Sequence, residues 1–132
     1  MNIFTSRYGN KEIAQTGLVP VGISLGNPRF KTAFKIPHRI KVLAPTRDML
    51  QLPYKTYKKI YFGMLNKLDE GQLKKHFEEI SNGKALVFLC FEDLTKDGEW
   101  CHRRMFAEWW QRKTGMKVEE LMPLASQTKL GI

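Results

Sequence analysis

Acidic residues are scarce at the start of this chain. Among the first 60 positions only Glu12 and Asp48 stand against 11 Lys and Arg, whereas residues 61–132 hold 11 of each sign. The whole net charge of +9 therefore falls in the first 60 residues. One electropositive face is expected, suited to a polyanion or a phosphorylated ligand, although a soluble basic protein without such a partner would read the same way. Long apolar runs are lacking too, which excludes a membrane-spanning helix and a membrane partner of that kind. The opening "MNIFTSRYGN" lacks the charged-then-apolar layout of a secretory signal, so a cytoplasmic location is expected. Cysteine occurs twice only, too few for a disulfide framework, and in that compartment both are expected as reduced thiols. Walker, G-x-G-x-x-G and H-E-x-x-H patterns are missing, and "SLGNPRF" has one glycine where phosphate loops need more. No cofactor is expected on these grounds.

What is present suits a globular protein. Apolar residues make up 42% of the 132, enough for a core, and neither repeat nor linker divides the chain. A single domain over 1–132 is expected, with 124–132 a loosely held tail. Short strands are predicted over 2–8, 18–25 and 39–45, with Pro20 near a strand start or edge. The stretch 26–30, "GNPRF", is a turn. Apolar residues at three- and four-residue steps predict helices over 54–68 and 70–81, with Gly83 as a stop. The continuous run "ALVFLC" (85–90) reads as a strand buried on both faces of a parallel sheet. A third helix follows over 101–114, stopped by Gly115, and then a last strand over 117–123. Strand, loop, helix, strand is a βαβ unit. The fold class is α/β: a small three-layer domain, Rossmann-like, with a mostly parallel central sheet and helices on both faces. Some antiparallel pairing among the N-terminal strands stays open.

Open parallel sheets bind ligands beyond the carboxyl ends of their strands. Four loops gather there: "SRYGN" with Ser6, Arg7 and Tyr8; "SLGNPRF" with Ser24, Asn27, Pro28 and Arg29; "APTRD" with Arg47; and the stretch from Cys90 and Glu92 to Cys101, His102, Arg103 and Arg104. Arginines converging on the amide donors of the third helix would seat an anion. The competing reading leaves each arginine on a solvated surface or paired with an acid such as Glu92. Cys90, ending a buried strand, reads as a small apolar residue. Cys101, at a helix start beside His102 and two arginines, is placed like a nucleophile. A phosphatase-type loop is disfavoured, because an arginine six positions after either cysteine is replaced by Lys96 or Ala107. A metal is not expected, since the cysteine spacing matches no common zinc pattern. Between 29 and 59 basic residues alternate with Phe30, Phe34, Tyr54 and Tyr57, as in single-strand nucleic-acid surfaces, unless those rings belong to the core.

"ALVFLCFED", "CHRRMFAEWW" and "VEELMP" together resemble the family catalogued as domain of unknown function 488, whose members run strand, Cys-x-Glu, loop, Cys-His-Arg, helix, strand. Here those positions are Cys90, Glu92, Cys101, His102 and Arg103, with Pro28 and Arg29 matching its upstream basic loop. The Asp-Val-Arg common in that family is replaced by "GISLG", and the loop before Cys101 is longer. The resemblance implies an α/β domain with these residues at the strand ends, and no activity. Three functions follow as expectations. The first is a binding module for a nucleotide or nucleic acid. The second is a small enzyme acting on such a ligand through Glu92, His102 or Cys101. The third is a basic protein docking on an acidic protein partner.

Overall fold

The computed structural model describes residues 1–123. The tail expected over 124–132 lies outside the described residues. Among the described residues five strands form one sheet: β1 (Ile3–Arg7), β2 (Val19–Gly22), β3 (His38–Arg39), β4 (Leu86–Cys90) and β5 (Glu119–Glu120). Their order is β3-β2-β4-β1-β5 and every pairing is parallel, so the antiparallel option left open by the sequence is not taken. Between them lie α1 (Tyr54–Asn66), α2 (Glu70–Ser81) and α3 (His102–Thr114), with short 3-10 turns at Lys11–Gln15, Lys41–Leu43 and Arg47–Gln51.

β4 occupies the middle because its residues suit burial on both sides. Leu86 and Phe88 join Ile3, Val21 and Ile23 in the larger core, beneath the inward faces of all three α-helices. Val87 and Leu89 point the other way, toward Tyr8 and Ile13, where the 3-10 turn Lys11–Gln15 and the loop bearing Phe34 and Ile36 make a thinner layer. The three-layer α/β architecture read from the sequence holds, with one difference: the three α-helices share one face, and the helix on the other face is the 3-10 turn Lys11–Gln15. Phe77 anchors the thick layer, its ring 5.1 Å from both Phe88 and Trp110. Such buried rings contribute the largest apolar areas in a core.

Element ends differ from the sequence reading for local reasons. The strand expected over 39–45 pairs only at His38–Arg39, then tightens into a 3-10 turn. Ile40 and Leu43, three apart, are buried on either side of exposed Val42, and Ala44 and Pro45 are buried where the turn ends. A period of three buries one side of a 3-10 turn, not of a strand. The last strand shrinks to two residues paired with β1 at the sheet edge. Pro20 sits in β2 beyond the reach of β3, which pairs only with Val21 and Gly22, so its missing N–H breaks no ladder on that side. α2 stops at Asn82, in the left-handed conformation at φ 48°, one residue before the expected Gly83. Gly115 ends α3 as expected, with φ 75°. Among the described residues no helix is long and apolar enough to cross a membrane.

Candidate functional site

A cleft of about 720 Å³ opens beyond the carboxyl ends of β2, β3 and β4. Ser24, Leu25 and Gly26 follow β2; Lys41, Pro45, Arg47 and Leu50 follow β3; Phe91 and Glu92 follow β4. Tyr57 of α1 and the start of α3, from Trp100 to His102, complete it. Tyr57 meets Trp100 edge-on at 4.8 Å, giving the cleft an aromatic wall. Arg39 clamps one lip: its guanidinium donates to the Ser24 carbonyl at 2.7 Å and also to the Leu25 carbonyl and the Asn27 side chain. Lys41 and Arg47 bring positive charge, Glu92 and Glu99 negative charge. Oε2 of Glu92 is buried and has no hydrogen-bond partner among the described residues. Burial, and then the charge of Glu92, push the Tyr57 hydroxyl well above its ordinary value, so it stays a neutral phenol.

Both cysteines line this cleft, and their sulfurs are bonded to one another. This overturns the expectation of two reduced thiols. Cys90 closes β4 and Cys101, 11 positions on, sits at the N-cap of α3, so the excursion between them returns to where it began. Packing of Cys90 as a simple apolar residue is corrected with it, and Cys101 has no thiol to act as a nucleophile in this state. His102 is 5% exposed. Its Nε2 lies 2.7 Å from the Ile23 carbonyl, which only accepts, so Nε2 carries the proton and Nδ1 a lone pair. Nδ1 faces Cys101 Sγ at 3.6 Å. Desolvation lowers the His102 pKa to about 4, against the Ile23 hydrogen bond and with help from the Arg103 charge.

Of the five arginines expected to cup an anion, Arg47 lines the cleft and the other four do not gather there. Arg103 is fully buried under α3: Nε and Nη2 donate to Glu120 at 3.0 and 2.9 Å, Nη2 to the Glu92 carbonyl at 2.8 Å, and Nη1 to Cys90 Sγ at 3.1 Å. Arg104 donates to Thr5 Oγ1 at 2.8 Å and the Val118 carbonyl at 2.9 Å. Both tie α3 to the β1–β5 edge and are spent on protein groups. Arg7, partly buried, lies 3.8 Å from Asp93. Arg29 is exposed and takes no part in lining the cleft. Lys41, not singled out for the anion seat, joins Arg47 in the cleft.

The remaining expected residues divide between support and rim. Ser6 is buried, donating to the Leu121 carbonyl at 2.7 Å and accepting from Asn10. Tyr8 is buried too, its hydroxyl 2.6 Å from Ser24 Oγ and its ring 4.9 Å from that of Phe91. Since the Ser24 hydroxyl donates to the Gly26 carbonyl at 2.6 Å, Tyr8 is the donor between the two. Asn27 and Pro28 border an outer hollow with Phe30, and Phe34 packs on the smaller core. Trp100 is among the cleft residues the sequence reading missed, as is Phe91. A tryptophan in an otherwise polar loop, next to Cys101, was the available signal. No protein-family model matches this chain, and neither does any curated protein or solved structure.

Proposed function

We propose that the cleft beyond β2, β3 and β4 binds a small phosphate-bearing ligand with a planar ring, a nucleotide being the simplest. The observation that carries this is Glu92: a buried carboxylate oxygen without a donor among the described residues, in the wall of an open cleft, wants an N–H or O–H from a ligand. Lys41 and Arg47 supply the phosphate contacts. Tyr57, Trp100 and Phe91 supply faces and edges for a ring. The family resemblance to domain of unknown function 488 belongs to the same proposal, since Cys90, Glu92, Cys101 and His102 all border this cleft. An enzyme reading rests on Glu92 here, because Cys101 is bonded and burial makes the remaining Nδ1 lone pair of His102 a weak base.

Calorimetric titration with nucleoside mono- and diphosphates, at low and at physiological salt, tests the reading. The expected result is binding that weakens with salt and falls about tenfold or more in Lys41→Ala/Arg47→Ala, a change of about 1.4 kcal/mol. Glu92→Gln keeps the shape but replaces one acceptor by a donor, and also weakens binding. Heat signals that are absent at low salt, or equal in all three proteins, overturn it.

A further inference from the structure

Cys90 Sγ, Cys101 Sγ and a ring nitrogen of His102 lie within 4.8 Å of one another, all on buried residues and all at one end of the cleft. Two sulfurs and an imidazole are the donor set of an open zinc-type centre, in which a fourth position is left to water or a ligand. We propose that, when its disulfide is reduced, this protein holds one zinc-type divalent ion between Cys90, Cys101 and His102, with the fourth position facing the cleft. This goes beyond the ligand reading above and does not rest on it.

Five features of the geometry support the assignment. His102 donates through Nε2 to a backbone carbonyl, the outer bond that orients a metal-ligating histidine, and this leaves the Nδ1 lone pair toward the sulfurs. The Nδ1 to Cys101 Sγ separation is 3.6 Å. Tetrahedral bonds of about 2.3 Å to sulfur and 2.05 Å to nitrogen place those two ligands about 3.6 Å apart. Adjacent residues rarely reach one ion, but Cys101 is an extended N-cap, at φ −149° and ψ 147°, so its side chain leaves the helix path that His102 begins. Finally, the Cα atoms of Cys90 and Cys101 are 7.5 Å apart. Most disulfides span about 4.4–6.8 Å, so this backbone has room for the sulfurs to part around an ion. Arg103, donating to Cys90 Sγ at 3.1 Å, is placed to bond a ligating thiolate from behind.

Conversion between the states balances with a dithiol. The dithiol gives two electrons and two protons to the Cys90–Cys101 bond and becomes a cyclic disulfide, leaving two protein thiols. Ion binding then releases those two protons to the buffer.

The test uses the full chain, reduced with a dithiol, freed of reductant without air, and titrated with Co²⁺ alone. Two free thiols per chain should be measured first. One Co²⁺ per chain should then bind with a near-ultraviolet thiolate-to-cobalt band and the visible bands of a tetrahedral ion, both erased by Zn²⁺ and by air oxidation to the disulfide. Cys90→Ser and Cys101→Ser should each weaken the ultraviolet band, and His102→Gln should lower affinity about tenfold or more. If a variant does not fold, the unmodified protein decides alone. Two free thiols without a cobalt–thiolate band, or thiols that dithiol treatment of the folded chain never frees, overturn the assignment.

Discussion

At position 102 the imidazole is held in its neutral form by burial, and that makes folding sensitive to acid. Its folded pKa of about 4 lies below the ordinary 6.5, so the unfolded chain takes up a proton that the folded chain refuses. The contribution is complete above pH 6.5 and disappears as pH falls from there toward 4. A folded value of about 4 against an unfolded 6.5 corresponds to about 3 kcal/mol. Urea midpoints of the disulfide-bonded, metal-free protein should therefore fall steeply between pH 7 and pH 4, beyond the drop seen in His102→Gln. Equal drops in the two proteins would show that other groups carry the acid sensitivity. The sequence offered His102 as a reactive group, because adjacency to Cys101 is visible in one dimension. The Ile23 carbonyl that fixes its tautomer is 79 positions away and is not.

At the scale of elements, α3 shows which part of a side chain's fate a sequence carries. Its apolar stripe was legible, and Phe106, Ala107 and Trp110 are buried where a helical period puts them. Arg103 falls on that same stripe, three, four and seven positions before them. The period thus signalled an inward-facing arginine, but the residue type argued for solvent or an anion. What the sequence could not show is the carboxylate waiting inside: Glu120 arrives from β5, 17 positions on. Removing it leaves a buried guanidinium unpaired, so Glu120→Ala should destabilise the fold by about 3 kcal/mol, read as a shift in urea midpoint at constant slope. Substituting both partners, Arg103→Met with Glu120→Leu, should recover most of that loss, and no recovery would mean that Glu120 matters for another reason. The same stripe meets α2 through Phe77, fully buried against Phe88 and Trp110. Phe77→Ala should cost about 3–5 kcal/mol, the range for emptying a large aromatic site.

Across the whole molecule, the order of the strands was hidden while their existence was not. Each apolar run announced a strand, yet nothing along the chain says that β4 inserts between β2 and β1. That insertion brings Cys90 under α3, and it sends the basic loops after β2 and β3 to the cleft side of the sheet. Arg29, Lys31, Lys35, Lys41, Arg47, Lys55 and Lys59 are all exposed, and Phe30 stands 50% exposed among them. A polyanion running from the Phe30 loop past the cleft would meet these charges and one free ring. The dependence of affinity on salt reads how many phosphates are neutralised, with a slope of about −0.7 per contact for single strands. Retention of a short single-stranded oligonucleotide at low salt is the expected outcome. In Arg29→Ala/Lys31→Ala/Lys35→Ala the slope should flatten by about 2, because up to three contacts go. Phe30→Ala should weaken binding and leave the slope alone, since stacking releases no counterions. A slope untouched by the triple substitution would move any polyanion contact away from this loop and leave the cleft cations, Lys41 and Arg47, to account for it.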